Sequence, residues 1–328
     1  MNLFPRTVRI ILTSSLFFFL VCFSLFPSGQ NEGSVHQDTG SPYPLSVIDS
    51  LGTEVEILRE PVQICSVALA ADEILLSLVS TERITALSSF SVNETVSNVA
   101  DTAQEIDHHI TFSAEQIITL GPDLVICADW TDAAGVQLLR DAGITVFQMK
   151  TASTFAEVRE NIRMLGLITN TENEAAELIQ WTDSILEQAA ELSEEQGETG
   201  AKSVMEYSSW GTAGSTGTTW HEIILHAGCT DPLAEYESDQ FGFVPVSQEL
   251  ILTIDPDIII LPDWIYGEED GADEFYQEFH NNPAFSRLSA LETGNVYRIP
   301  ERWKSSTSQY MARAALELAR LAYGDQGQ

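Results

Sequence analysis

An eighteen-residue segment occurs twice in this chain, and the duplication narrows the possible folds more than any other feature. Residues 113–130 read SAEQIITLGPDLVICADW and residues 247–264 read SQELILTIDPDIIILPDW, which agree without a gap at nine of eighteen positions. The copies start at 113 and 247, 134 residues apart. Solenoid units repeat every ~20–50 residues, so this spacing predicts two sister lobes instead. Each copy carries a Ser able to cap a short helix and a Glu, Glu115 or Glu249, in its first turn. Gly121-Pro122 or Asp255-Pro256 then ends that helix. An apolar strand follows, over residues 124–127 or 258–261, and closes on Asp-Trp. In an α/β sheet the C-terminal end of a strand is where ligand-facing residues sit. Two such lobes face to face enclose a cleft, which suits a binding protein.

The pattern between the copies is strand, helix, strand. Residues 45–58 form a hairpin turning at Leu51-Gly52. Strands are expected at 64–67, 84–87, 145–148, 203–207 and 296–299, and helices at 71–79, 135–142, 155–165, 220–227 and 308–323. The alternation predicts parallel sheets covered on both faces. Residues 172–195 read as one long helix, with Ala176, Ile179, Ile185, Leu186, Ala189 and Leu192 on its apolar side. At about 1.5 Å per residue it spans roughly 35 Å, enough to run along both lobes. A single long helix as the only bridge resists hinge bending, so small ligand-linked motions are expected.

The N-terminus reads as an export signal. Arg6 and Arg9 precede a mostly apolar run over residues 10–26, and Pro27-Ser28-Gly29 follows. The run is also about the length of a short membrane span, so an uncleaved anchor is the competing reading. Cys22 raises lipidation as a third, against which Val21 is a poor match to the small residue that precedes a lipidated Cys. The organisation is therefore a signal peptide at 1–29, a flexible tether at 30–44, an N-terminal lobe at 45–165, an interlobe helix at 166–199 and a C-terminal lobe at 200–328. The protein is expected in the periplasm or at the cell surface.

With 15 basic against 49 acidic residues, net charge −34, nucleic acid and anionic membrane surfaces are unsuitable partners. Cys65, Cys127 and Cys229 fit no zinc spacing. Cys65 and Cys127 lie in apolar strand runs, as buried thiols or as a disulfide. No Ser-His-Asp order or carboxylate pair stands out, so no catalytic residue and no metal site is assigned. The loop WGTAGSTGT lacks the Gly-Lys-Ser/Thr of a phosphate loop.

The segments VIDSLGTEVEI, ICSVALAADEILLSL, AEQIITLGPDLVI, VSQELILTIDPDIII and LETGNVYRI, in this order and with the long helix between the third and fourth, carry a resemblance. The chain resembles the periplasmic substrate-binding proteins of iron-siderophore, haem and vitamin B12 ABC transporters, from residue 45 to residue 323. The resemblance implies an α/β fold of two Rossmann-like lobes with central parallel sheets, joined by a single long rigid α-helix, with the ligand in the cleft. It implies a receptor and not an enzyme, acting as a monomer. It holds no cofactor of its own. The expected ligand is a metal chelate: ferric siderophore, haem or cobalamin. A chelatase-like enzyme or a ligand sensor on the same fold is the alternative.

Residue by residue, the resemblance places Glu115 and Glu249 at the tops of the lobes, where they dock into the importer's permease subunits. A plain acidic residue favoured at a helix N-terminus is the simpler reading of each. It places Phe90, His109, Tyr207, Trp210, Phe243 and Trp303 at positions where B12-binding members carry cleft aromatics, with Arg302 beside Trp303 in the loop after the last strand. Flat aromatic walls suit a large planar ligand. For Tyr207, in a strand, a core role competes. Trp130 and Trp264, ending the repeated strands, either line the cleft or plug their own lobes. His108 and His109 point in opposite directions on an extended segment, so only one can face a cleft. His221 is a further candidate for iron. Arg302 and Lys304 are two cations in one loop, thin provision for an anionic ferric catecholate.

Overall fold

A computed structural model describes residues 42–194 and 200–324. The export segment, Cys22, residues 30–41 of the tether and the Gly-containing stretch after the long helix lie outside the described residues. Among the described residues no helix is long and apolar enough to cross a membrane.

In chain order the first half runs β1 (Leu45–Ile48), β2 (Glu54–Ile57), β3 (Ile64–Ser66), α1 (Leu69–Leu78), β4 (Ile84–Ser88), α2 (Ala100–Ala103), β5 (His109–Ile110), α3 (Ala114–Leu120), β6 (Leu124–Ala128), α4 (Ala133–Asp141), β7 (Thr145–Met149) and α5 (Phe155–Thr169). Then comes α6 (Glu172–Glu194). The second half runs β8 (Val204–Glu206), β9 (Thr212–Gly214), α7 (Thr219–His226), β10 (Phe243–Pro245), α8 (Gln248–Ile254), β11 (Ile258–Leu261), α9 (Gly271–Asn281), α10 (Ser289–Glu292), β12 (Val296–Arg298), α11 (Glu301–Lys304) and α12 (Met311–Tyr323).

Two parallel sheets result. The first has the order β5-β4-β3-β6-β7 and the second β12-β11-β8. β1 and β2 form the expected antiparallel hairpin. It is tied to the first sheet by Ser50 donating to Gln148 O and by a 3.1 Å ion pair from Arg140 to buried Asp49. The Gly-rich loop holds a strand that was not expected: β9 pairs antiparallel with β10. Cys65, Cys127 and Cys229 are free, buried thiols.

The two copies of the repeat fold alike, for local reasons. Ser113 and Ser247 cap α3 and α8, accepting from the backbone N–H of Gln116 and Leu250. Each helix ends on a left-handed residue, Gly121 (φ 66°) and Asp255 (φ 46°). Gly takes that conformation without strain, whereas Asp255 is compensated by Ser289, whose N–H and hydroxyl both donate to its carboxylate at 2.7 Å. The strands β6 and β11 then enter the middle of their sheets, with every residue buried.

One apolar cluster reaches across both halves. It joins Ile64 and Leu124 of the first sheet to Val204, Ile258 and Ile260 of the second through Leu186 and Ala189 of α6 and the Ala-rich face of α12. α6 packs against α5 and α12. The bridge is a long helix braced by the C-terminal helix.

Candidate ligand cleft

In the first sheet the chain order reverses between β3 and β6, and a crevice is expected outside the C-terminal ends of those strands. A hollow of about 350 Å³ lies there, lined by Val67 to Ala70 after β3, Phe90 after β4, Trp130 after β6 and Thr151 after β7. A second hollow of about 230 Å³ lies at the matching edge of the other sheet. Its walls are Ser208 and Trp210 after β8, Phe243 in β10, and Pro262, Trp264 and Tyr266 after β11. Glu301 and Ser305 line both hollows, so the two adjoin. Together they make a cleft whose walls come from both sheets and whose floor comes from α11 and the residues after it.

The walls are aromatic and wet. Trp130 is 75% exposed and Trp210 82%, values far too high for core residues, so these rings are held at the surface of the cleft. Phe90 and Phe243 are also exposed, and Trp264 meets Tyr266 edge to face at 5.7 Å. Of the two readings of the Asp-Trp strand ends, both tryptophans line the hollows.

The floor is acidic. Lys304 is buried between Glu206, 2.7 Å away, and Glu301, 3.4 Å away. Burial works against its ammonium, but the two carboxylates outweigh burial and hold its pKa above the usual lysine range. Its charge is spent internally, and no arginine lines either hollow. Glu73 of α1 also faces the first hollow while being 1% exposed. Its carboxylate accepts from Asn98 N and Nδ2 at 2.9 and 2.8 Å and from the hydroxyls of Ser306 and Ser308. Burial raises its pKa despite these donors. Beside it, Asp72 accepts from Ser88 N and Oγ, and its Oδ1 has no partner. Burial pushes its carboxyl up to about 7.

Of the residues proposed from sequence, the cleft gathers Phe90, Trp210 and Phe243. Four others lie elsewhere. Tyr207 packs against Phe275, Phe279 and Phe285, with ring centres 5.6, 5.9 and 6.3 Å away, as part of the second core. His109 sits in the edge strand β5 with its Nε2 2.8 Å from Ala103 O, and lines neither hollow. Trp303 packs against the large core and Arg302 donates to Glu94 O. Both lie in the short helix α11 and not in a loop. Glu301, Lys304 and Ser305 line the hollows while Arg302 and Trp303 line a separate cavity, a division that helical phase produces and linear sequence hides. Sequence reading missed Glu73 and Tyr266. Glu73 sits within an apolar helical run, where a charge signals either a partner or a site, and Tyr266 gave no signal. Glu115 and Glu249 are exposed in the first turns of α3 and α8.

Comparison with known proteins agrees with this architecture. The family model described as periplasmic binding protein matches residues 64–303. The chain belongs to this family. It is a solute-binding protein that serves import, and the enzyme alternative is set aside on family membership. An ABC transporter substrate-binding lipoprotein of Bacillus subtilis is 24% identical over 91% of each chain. A cobalamin-binding protein of Halobacterium salinarum is 22% identical over 68% of this chain and 60% of its own length. The molybdate-binding periplasmic protein of Haemophilus influenzae superposes with a TM-score of 0.69 at 16% identity, covering 85% of this chain and 91% of its own. Extracytoplasmic placement follows from the family and the lipoprotein relative.

Proposed function

We propose that the cleft captures a large, flat metal chelate of the corrinoid class and that the protein delivers it to the membrane subunits of an ABC importer. The observation that carries this reading is the pairing of aromatic walls from both lobes with a floor that has no free cation. Phe90 and Trp130 on one side, and Trp210, Phe243, Trp264 and Tyr266 on the other, offer ring faces to a planar ligand. A ferric catecholate or an oxyanion such as molybdate brings negative charge, and the propionates of haem do so too. Glu206 and Glu301 repel that charge, and Lys304 is already neutralised by them. A corrin with amide side chains places hydrogen-bond donors against those carboxylates. The cobalamin-binding relative supports the same ligand class.

For delivery, Glu115 and Glu249 present one exposed carboxylate from each lobe at equivalent points of the repeat. Their helices lead into β6 and β11 and so begin near the strand ends that border the cleft. Two acidic knobs at a fixed separation would orient the protein on basic pockets of a permease. Export rests on residues 1–29, with retention through an uncleaved segment or through lipidated Cys22 as its variants.

The test is to titrate purified protein with cyanocobalamin, haem and a ferric catecholate and follow each absorbance spectrum. Cobalamin is expected to bind. Trp130→Ala and Trp210→Ala should each weaken binding about fivefold or more, since a stacked aromatic contact contributes about 1 kcal/mol beyond its buried area. Binding of the catecholate with no binding of cobalamin refutes the ligand assignment.

A further inference from the structure

Arg302 of α11 and Arg313 of α12 line neither cleft hollow. Arg302 and Arg313 line a different cavity, of about 390 Å³, between residues 94–102 of the first lobe and α11–α12 of the second. It shares no lining residue with either cleft hollow.

What marks this cavity is charge left unused. In a chain with 49 acidic residues and 15 basic ones, an arginine finds a carboxylate easily. Arg83, Arg140, Arg159, Arg163, Arg298 and Arg320 all do. Among the described arginines Arg287, Arg302 and Arg313 form no ion pair, and the last two line the same cavity. Arg302 makes one long hydrogen bond, to Glu94 O at 3.3 Å. Arg313 is held by ring faces instead: its guanidinium carbon lies 5.5 Å from the Trp181 ring centre, 5.9 Å from that of Trp303 and 5.7 Å from that of Tyr310. Trp303 also carries Arg302, at 5.7 Å. One indole therefore brings two guanidinium groups to the same volume. A guanidinium held over ring faces forms no competing ion pair there, and its N–H groups suit a forked contact to an oxyanion.

We propose that this cavity is a second binding site, for a small oxyanion such as a phosphate or carboxylate group held between Arg302 and Arg313. Thr102 lies on the same lining. Glu94 and Asp101 also line the cavity and limit the site to one compact anion, because a larger polyanion would meet their charge. The walls come from both lobes, and Asn98 Nδ2 already donates to Arg302 O across the seam at 2.6 Å. A bound anion adds a second tie at that seam.

The oxyanion is either free in the medium or carried on the captured chelate, and melting curves together with titrations separate the two. Ligand-free wild type is melted with and without inorganic phosphate at constant ionic strength set by sodium chloride. Occupancy at about ten times the Kd should raise Tm by roughly 3–6 °C. Arg313→Gln and Arg302→Gln should lose that rise, and Arg313→Lys should lose most of it, since an ammonium cannot form the fork. Their melting without phosphate shows whether each variant is folded. If the group is ligand-borne, phosphate alone has little effect and Arg313→Gln weakens cobalamin, which has a phosphodiester, more than cobinamide, which has none. The proposal is overturned if phosphate moves Tm no more than chloride does and Arg313→Gln treats cobalamin and cobinamide alike. The phosphate arm uses no cleft ligand, so its outcome stands apart from the corrinoid assignment.

Discussion

Replacing Glu73 by Ala should show how strongly the two lobes are fastened beneath the cleft. Glu73 is a first-lobe residue whose carboxylate is bonded to Ser306 and Ser308 of the second lobe and to Asn98. Its backbone carbonyl also accepts from Gln309 Nε2 at 2.9 Å. A hydrogen bond to a charged group contributes about 1.5–3 kcal/mol. Four such bonds would sum to far more than the net effect, because burying the carboxylate is itself unfavourable, as its raised pKa records. Glu73→Ala strands the Asn98 donors at about 1–3 kcal/mol and leaves a side-chain-sized void, for a total of about 3–5 kcal/mol. For a chain of this size that corresponds to a fall in Tm of roughly 6–15 °C. Glu73→Gln keeps the shape and an acceptor for Asn98, and the Ser306 and Ser308 hydroxyls can turn to accept from its amide, so its cost should be about 1 kcal/mol or less. Urea denaturation of the three proteins measures both values. The reasoning fails if Glu73→Ala costs under 1 kcal/mol, or if Glu73→Gln costs as much as Glu73→Ala, which would make the charge and not the bonding geometry decisive.

Three further outcomes are expected. Asp72 has a carboxyl pushed up to about 7 by burial, from an ordinary 3.8, so the folded state holds the proton more tightly than the unfolded one. Its contribution to stability is complete below about pH 4 and is lost as the pH rises through about 7, worth up to about 4 kcal/mol. Urea midpoints should therefore fall between pH 5 and pH 8, and Asp72→Asn should flatten that fall to the part due to neighbouring Glu73. A wild type and variant with parallel profiles would contradict it. Tyr207→Ala should cost about 2–4 kcal/mol with cleft affinity unchanged, because its ring packs on three phenylalanines. Weakened binding with an unaltered melting curve would return Tyr207 to the site. Glu115→Arg combined with Glu249→Arg should abolish stimulation of the cognate transporter's ATPase while ligand titrations stay the same, and normal stimulation would end the docking assignment.

Much of the fold was legible because its determinants are local. Ser113 and Ser247 cap, Gly121 and Asp255 stop, and the apolar runs behind them become central strands in both copies, all within eighteen residues. The long helix was equally plain, since its apolar spacing persists through to Glu194. The pairing of β9 with β10 was not legible. It joins segments about thirty residues apart through backbone hydrogen bonds, which leave no mark on either segment's composition.

The site divides along the same line. Sequence alone determined that Asp-Trp ends both repeated strands and that aromatic residues cluster after strand ends, because parallel sheets deliver strand ends to one edge. It could not determine which of those rings face the cleft. Tyr207 turns into the core while Trp210, three residues on, stands 82% exposed, and Lys304 faces the cleft floor while Arg302 and Trp303 line the flank. Nor could it determine the charge of the site. Glu73, Glu206 and Lys304 are 133 and 98 residues apart in turn, and only the tertiary structure brings them to adjoining hollows and pairs the lysine with carboxylates. Helix caps and strand runs are fixed by neighbours in the chain, whereas side-chain direction and net local charge are fixed by neighbours in space.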